Sequence, residues 1–173
     1  MKYIFVFFIL FFIFLFQIFF LNNLPFLKYL NLALIFILLF FQKEEFFFGL
    51  GTAILGGLIM DFNSLFFRGF FSLNLILLFF ILYFLAKRMD LKHLSGLLFF
   101  SLLGFILYQI TSLSISYLFF FLNPKAPRPL VNSFYWSDFF CFLIVNLSFF
   151  LILCFIYGQF KFFSKGNRRR LLL

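Results

Sequence analysis

Few side chains in this sequence are of a type and spacing that support catalysis. The sole histidine, His93, lies in a polar connection beside Lys92, with no aspartate or cysteine partner close to it in sequence. Cys141 and Cys154 are 13 positions apart in one apolar segment, which matches neither a metal site nor a disulfide framework. A general base or a nucleophile needs a partner that activates it. We therefore expect a protein that is not an enzyme and has no cofactor and no metal site.

Asp61 is an acidic residue at the end of an apolar segment, and it has two interpretations. Acids inside a membrane often mark a proton or ion pathway. An aspartate at a helix end also caps the next turn or pairs with a cation, and here the turn toward Phe70 carries Arg68. Because no second acid lies nearby in sequence, we favour the structural interpretation.

Segment 49–61 concentrates four of the nine glycines of the chain. Its small residues recur every four positions, so on a helix they form one ridge against which a neighbouring helix can pack closely. We expect this helix to lie at the centre of a bundle. The predicted helix-packing or partner interface comprises Gly49, Ala53, Gly57, Asp61, Arg68 and Gly69.

A polar stripe also steps by four, at Gly104, Tyr108, Ser112 and Ser116. It either lines a small-molecule cavity or hydrogen-bonds neighbouring helices, at a typical gain of about 0.6 kcal/mol per contact. A ligand cavity usually draws distinctive polar groups from several helices. We favour packing, because the other apolar segments contain few such groups, namely Asn74, Asn146 and Ser148.

The elements that carry these residues are apolar enough to be membrane helices. Hydrophobic residues make up 66% of the chain and include 40 phenylalanines, well above the roughly 45–50% apolar content of soluble domains. We expect an all-α polytopic bundle of about six transmembrane helices. The predicted spans are residues 3–21, 29–41, 46–60, 70–86, 94–122 and 136–160.

The second and third of these spans are short for a membrane crossing. They have about 13 and about 15 residues where roughly 17 to 25 are usual, so a re-entrant pair is an alternative to two crossings. The second span is the shorter. Its flanks, Pro25 to Lys28 and Gln42, could lengthen it. Whether this segment crosses the membrane completely is left open.

The positive charges predict an orientation. In a six-span arrangement one side of the membrane receives four basic residues, Lys28, Arg68, Lys125 and Arg128. The other side receives ten, and the positive-inside rule makes it cytoplasmic: Lys2, Lys43, Lys87, Arg88, Lys92, Lys161, Lys165, Arg168, Arg169 and Arg170. Both termini are then cytoplasmic, with one transmembrane domain over residues 1–160 and a basic tail over 161–173. Because the charges lie between apolar segments, we expect lipid contact and no nucleic-acid binding.

The predicted external loop over residues 123–135 is rich in proline. Pro124, Pro127 and Pro129 stand beside Lys125 and Arg128, which favours a stiff, extended chain. Such a loop is either a plain connection or a docking surface, and the residues do not decide between them.

Segment 49–61 and the following Gly69 resemble the rod shape-determining protein MreD family. In that family a glycine-bearing helix ends in G-L-x-x-D, and a glycine several residues later opens the next span. Gly57, Leu58 and Asp61 match the first element, and Gly69 matches the second. The chain length, the helix count and the basic exit at Lys87 also fit.

This resemblance implies a non-catalytic scaffold of the bacterial machinery for cell shape and lateral wall elongation. It implies binding to a single-span MreC-like membrane protein, action with the MreB filament and its wall synthases, and residence in the bacterial cytoplasmic membrane. It also implies a bundle similar to the substrate-binding subunits of energy-coupling-factor transporters. That similarity supplies an alternative function, a small-molecule-binding membrane subunit of an importer.

Overall fold

The computed structural model describes residues 2–25, 27–42, 45–62, 69–89, 91, 93–123 and 133–170, and among these it contains helices but no strand. The prediction of an all-α protein is confirmed for this part of the chain. Its α-helices are α1 (Lys2–Phe19), α2 (Leu32–Gln42), α3 (Phe46–Phe62), α4 (Phe70–Ala86), α5 (Leu94–Leu122) and α6 (Ser133–Arg170). Two short 3-10 helices, Leu21–Asn23 and Leu27–Tyr29, connect α1 to α2.

Three of the helices are long and apolar enough to cross a membrane. The candidate segments are Phe5–Asn23, Ser95–Leu122 and Tyr135–Ile156, with mean hydropathies of 2.6, 1.8 and 2.8. The helices α2, α3 and α4 are apolar but shorter. An apolar environment favours helices here because each helix satisfies its own backbone N–H and C=O groups.

The short second helix does not gain residues from its amino-terminal flank. Lys28 lies in the separate 3-10 helix, and α2 begins only at Leu32. At its other end α2 does include Gln42, the extension that the sequence made possible. Its 11 residues measure about 16 Å at 1.5 Å per residue, about half of a hydrocarbon core. The helix therefore starts inside the bundle.

The most enclosed of the described helices is α2, whose residues 32–41 are all buried or half-buried. Leu34, Ile35, Ile37 and Leu38 have no exposed surface, and α1, α3, α4 and α5 all contact this helix. A helix that is apolar on every side is stable where protein surrounds it. By contrast α3, which we expected at the centre, packs against α1, α2 and α4 but also has a surface face that includes Phe47.

Aromatic pairs hold the helix ends together on one side of the bundle. The rings of Phe46 and Tyr83 are 4.9 Å apart between centroids, and those of Phe41 and Phe100 are 5.9 Å apart. The start of α3 thus lies beside the end of α4, and the start of α5 lies beside the end of α2. We call this the basic end, because Lys87 lies exposed there.

The outer surface of α1 is a stripe of phenylalanine. Phe8, Phe12 and Phe16 are 60%, 54% and 51% exposed, whereas Phe14 on the opposite face is 2% exposed. A surface of this kind is unfavourable in water and neutral against lipid tails. It is consistent with a membrane protein.

Candidate functional site

Asp61 caps the amino-terminal turn of α4. Its two carboxylate oxygens accept hydrogen bonds from the backbone N–H groups of Phe71, at 2.8 Å, and Ser72, at 3.1 Å. The Ser72 hydroxyl donates a third bond of 2.5 Å. The first N–H groups of a helix have no partner within the helix, and the helix dipole favours a negative charge there. The carboxylate thus joins the end of α3 to the start of α4.

Gly69 sets the direction in which the chain enters α4. Its φ of 93° lies in the left-handed region, which favours glycine, and α4 starts at the next residue. The predicted ion pair of Asp61 with Arg68 falls on a residue outside the described part of the chain. The structure therefore brings Asp61 and Gly69 together at one turn, and Arg68 has no described position.

The four-residue ridge of α3 faces α4. A Cβ atom added to Gly57 would collide with the backbone of Ser72, and one added to Gly49 would lie 2.8 Å from the Phe79 ring. Ala53, between them, is fully buried. The small residues therefore let α3 and α4 approach closely along their length.

Two further glycines of α3 serve other neighbours. A Cβ atom on Gly56 would lie 2.5 Å from the Cβ atom of Ala33 on α2, and one on Gly51 would overlap the Phe7 ring of α1. The four-residue spacing did not single out these positions. A helix that meets three neighbours needs small residues on more than one face, which explains the concentration of glycine in α3.

Gln17 of α1 binds the backbone where the chain enters α2. Its side-chain amide donates to the Leu30 carbonyl at 2.7 Å and accepts from the Leu32 N–H at 3.1 Å. Gln17 is 2% exposed. An unpaired backbone group at this depth would cost free energy, so the pair of bonds stabilises the interior start of α2.

Asn146 of α6 binds the same stretch from the other side. Its side-chain oxygen accepts the N–H of Asn31 at 2.8 Å, and its amide donates to the Tyr29 carbonyl at 2.8 Å. The Asn31 side chain in turn accepts the Leu34 N–H at 3.0 Å and so caps α2. We call the described residues between α1 and α2, 21–25 and 27–31, the inner connector, because these bonds hold its last residues inside the bundle.

A cavity of about 350 Å³ lies beside the inner connector. Its polar lining comes from the end of α1, the connector, α5 and α6, and the rings of Phe70 and Phe71 at the start of α4 complete it. The cavity thus shares its end of the bundle with the Asp61 cap, and we call this the cavity end. A volume of this size lies in the range of small-molecule sites.

The predicted polar stripe of α5 divides between the cavity and helix packing. Tyr108, Ser112 and Ser116 line the cavity. Gly104 instead packs near Leu38 of the core. The hydroxyl of the neighbouring Thr111 donates a hydrogen bond of 2.5 Å to the buried Asn74 side chain of α4. This residue of α5 therefore contributes to packing against α4.

Among the described residues, one cation and one carboxylate line the cavity, namely Lys28 and Asp138. Asp138 of α6 accepts a hydrogen bond of 2.6 Å from the Tyr29 hydroxyl. The Lys28 ammonium lies 4.7 Å from the centroid of the Tyr29 ring, and its pKa is raised chiefly by the Tyr29 hydroxyl, with a smaller contribution from Asp138. The two charges therefore both engage Tyr29.

The other titratable side chains do not form a cluster. Within the described ranges, no group of three His, Cys, Asp or Glu residues could hold a metal ion. Cys141 and Cys154 are half-buried free thiols, and His93 precedes the first turn of α5. Most of the proline-rich loop, residues 124–132, lies outside the described residues, as do Lys43 and Glu44.

Sequence reasoning did not assign roles to Gln17, Asn31 or Tyr29. A signal for Gln17 is present, because it is the one amide in the apolar sequence of α1. Such a residue inside an apolar segment usually finds a partner within the protein. Its partner was hidden because the backbone of a distant connector carries no distinctive side chain.

No family model, no curated protein and no solved structure matches this chain. The similarity to MreD is therefore an expectation that rests on the motif residues of segment 49–61 and on Gly69.

We predict that Asp61→Asn lowers stability by about 1–3 kcal/mol, because the helix start loses a charged acceptor and gains a competing donor. Thermal unfolding in detergent measures the effect, with the exposed Ser114→Ala as the control. An unfolding temperature equal to that of the wild type would contradict this role. Loss of proton-coupled transport with unchanged stability would support the ion-pathway interpretation instead.

We expect Gly57→Ala to destabilise the protein by roughly 1–3 kcal/mol, because the backbone of Ser72 cannot move away without moving α4. Gly104→Ala is the matched control. Its new methyl group would meet the flexible end of Leu38 at 3.0 Å and should cost less. Equal losses of unfolding temperature in the two variants would refute the close approach of α3 and α4.

Gln17→Leu keeps the size of the side chain but removes the bonds to Leu30 of the connector and to Leu32 at the start of α2. We expect a loss of about 1–3 kcal/mol for each backbone group left without a partner, and faster hydrogen exchange at the Leu32 amide. The surface variant Phe16→Leu serves as control. Unaltered exchange at Leu32 in Gln17→Leu would show that the connector does not depend on this amide.

Proposed function

We propose that this chain is a non-catalytic, MreD-like scaffold of the bacterial machinery for cell shape and lateral wall elongation. The supporting observation is that the residues of the MreD-like motif join α3 to α4. Asp61 directs both carboxylate oxygens to the first turn of α4, and the ridge behind it packs on the same helix. These residues build a helix pair, as a scaffold requires.

A multi-pass location in the bacterial cytoplasmic membrane is part of this proposal. Three helices have the length and hydropathy to cross a bilayer, and the basic end carries the side chains expected in the cytoplasm. Both termini would then be cytoplasmic. The helix α6 extends to Arg170, so it would carry the basic tail beyond the hydrocarbon core toward anionic headgroups.

The partners in this proposal are a single-span MreC-like protein, the MreB filament and the wall synthases. The phenylalanine stripe of α1 supports the membrane part of it, since an apolar helix face suits lipid and a transmembrane helix equally. Basic residues at the cytoplasmic side would be available to the filament. None of these contacts requires an active site.

Depletion of the protein in its native bacterium tests the scaffold function. We expect the cells to round or widen, and the intact gene to restore their width. Rescue with Gly57→Ala should be weaker than rescue with Gly104→Ala, because only the former separates α3 from α4. Affinity purification in mild detergent should recover a single-span partner. Unchanged cell shape after complete depletion would rule out this function.

A second candidate function is supported by the cavity. A small-molecule-binding membrane subunit of an importer needs polar groups that converge from several elements, and the cavity has them from α1, the inner connector, α5 and α6. The predicted similarity to substrate-binding subunits of energy-coupling-factor transporters agrees with such a role. A ligand-dependent rise in unfolding temperature, together with uptake that requires this chain, would favour it over the scaffold.

A further inference from the structure

The cavity contains polar side chains of α5 that the fold itself does not use. The hydroxyls of Ser114 and Ser116 each donate to the carbonyl four residues earlier, at 2.8 and 2.9 Å. In the described part of the chain neither the Gln109 amide nor the Ser112 hydroxyl has such a partner, and both line the cavity. Both side chains are half-buried and reach the cavity space. Gln109 and Ser112 are therefore available to a bound molecule.

The walls around these groups are aromatic. Phe71 and Phe139 line the cavity with half-buried rings. Tyr108 and Phe142, which stack on each other at 5.5 Å between centroids, and Phe70 also line it but are each 6% exposed or less. Ring faces attract flat molecules by stacking, and this attraction works for any base-like ring system. The cavity thus combines flat apolar surfaces with neutral hydrogen-bonding groups.

The charges of the lining give no preference for an ion. Lys28 and Asp138 are of opposite sign, and both engage Tyr29. The remaining polar lining consists of neutral amides and hydroxyls, including Asn22 and Gln109. Among the described residues the lining thus carries no net charge, and a neutral molecule with amide-like edges would match Gln109 and Ser112.

We propose that this cavity binds a small, neutral heteroaromatic molecule, stacked on the aromatic wall and hydrogen-bonded to Gln109 and Ser112. The volume of about 350 Å³ lies near the lower end of ligand sites and suits a molecule of about two or three fused rings. This inference rests on the second candidate function, namely small-molecule binding, and is independent of a role in cell shape.

Equilibrium dialysis of the full chain in lipid nanodiscs, with lumazine as the probe, tests the proposal. Lumazine is a flat, two-ring heteroaromatic molecule with amide-like edges and is neutral in mildly acidic buffer. We expect saturable binding above that of empty nanodiscs. Gln109→Leu and Ser112→Ala should each weaken it by about fivefold, the effect of one ordinary hydrogen bond. Ser114→Ala, on the same helix with its hydroxyl bonded to its own backbone, should bind as the wild type does.

Control ligands separate failure of the ligand class from failure of the binding function. 1,3-Dimethyllumazine keeps the rings but lacks the N–H donors, and it should bind more weakly than lumazine. Saturable binding of glycine betaine or glutamate without binding of lumazine would overturn the neutral aromatic class while leaving a small-molecule site. Binding of lumazine only at the level of empty nanodiscs, or equally in Gln109→Leu, Ser112→Ala and Ser114→Ala, would also overturn the proposal.

Discussion

The hydrogen bonds that Gln17 and Asn146 make to the inner connector are the interactions on which the rest of the bundle depends. They satisfy backbone groups of Tyr29, Leu30, Asn31 and Leu32 at a depth where other helices surround the chain. In such surroundings an unsatisfied N–H or C=O is costly, and irregular backbone is tolerated only where protein or a cavity supplies partners. The two amides supply these partners, so a helix can begin inside the bundle.

This interior start explains both the short α2 and the cavity beside it. A helix of 11 residues leaves room at one end of the bundle, and the inner connector occupies only part of that room. The remaining space is bounded by the rings of Tyr108 and Phe142 and by the polar face of α5. At the basic end α2 fills the centre, and rings such as Phe41 and Phe79 stack at 5.1 Å between centroids. The interior start of α2 thus leaves the basic end of the bundle packed and the other end with a cavity.

The contact of α3 with α4 depends on small residues and on the Asp61 cap, not on the side-chain amides. Close approach of two helices without a water-driven hydrophobic force depends on fit, and the glycines of α3 provide it. Asp61 adds a directional bond at the cavity end, so the two helices cannot slide past each other without losing the cap. This rigid pair is compatible with a scaffold, and the neighbouring cavity is compatible with a ligand. The two proposed functions therefore use adjoining parts of one bundle, which meet at the start of α4.

The sequence by itself determined the helical class and most helix bounds. The predicted spans 70–86 and 94–122 coincide with α4 and α5, because charged, glycine or proline residues interrupt otherwise continuous apolar segments. The spacing of Gly49, Ala53, Gly57 and Asp61 also defined one face of α3, since a helical repeat is local.

Only the tertiary structure decided that α2 is the enclosed helix, that the small residues of α3 pack against α4, and that the polar stripe of α5 lines a cavity. These outcomes depend on pairs such as Gln17 with Leu30 and Asn31 with Asn146, which are 13 and 115 positions apart. One partner in each pair is a backbone group, which every residue type carries. No pattern of side chains could therefore predict which residues pair.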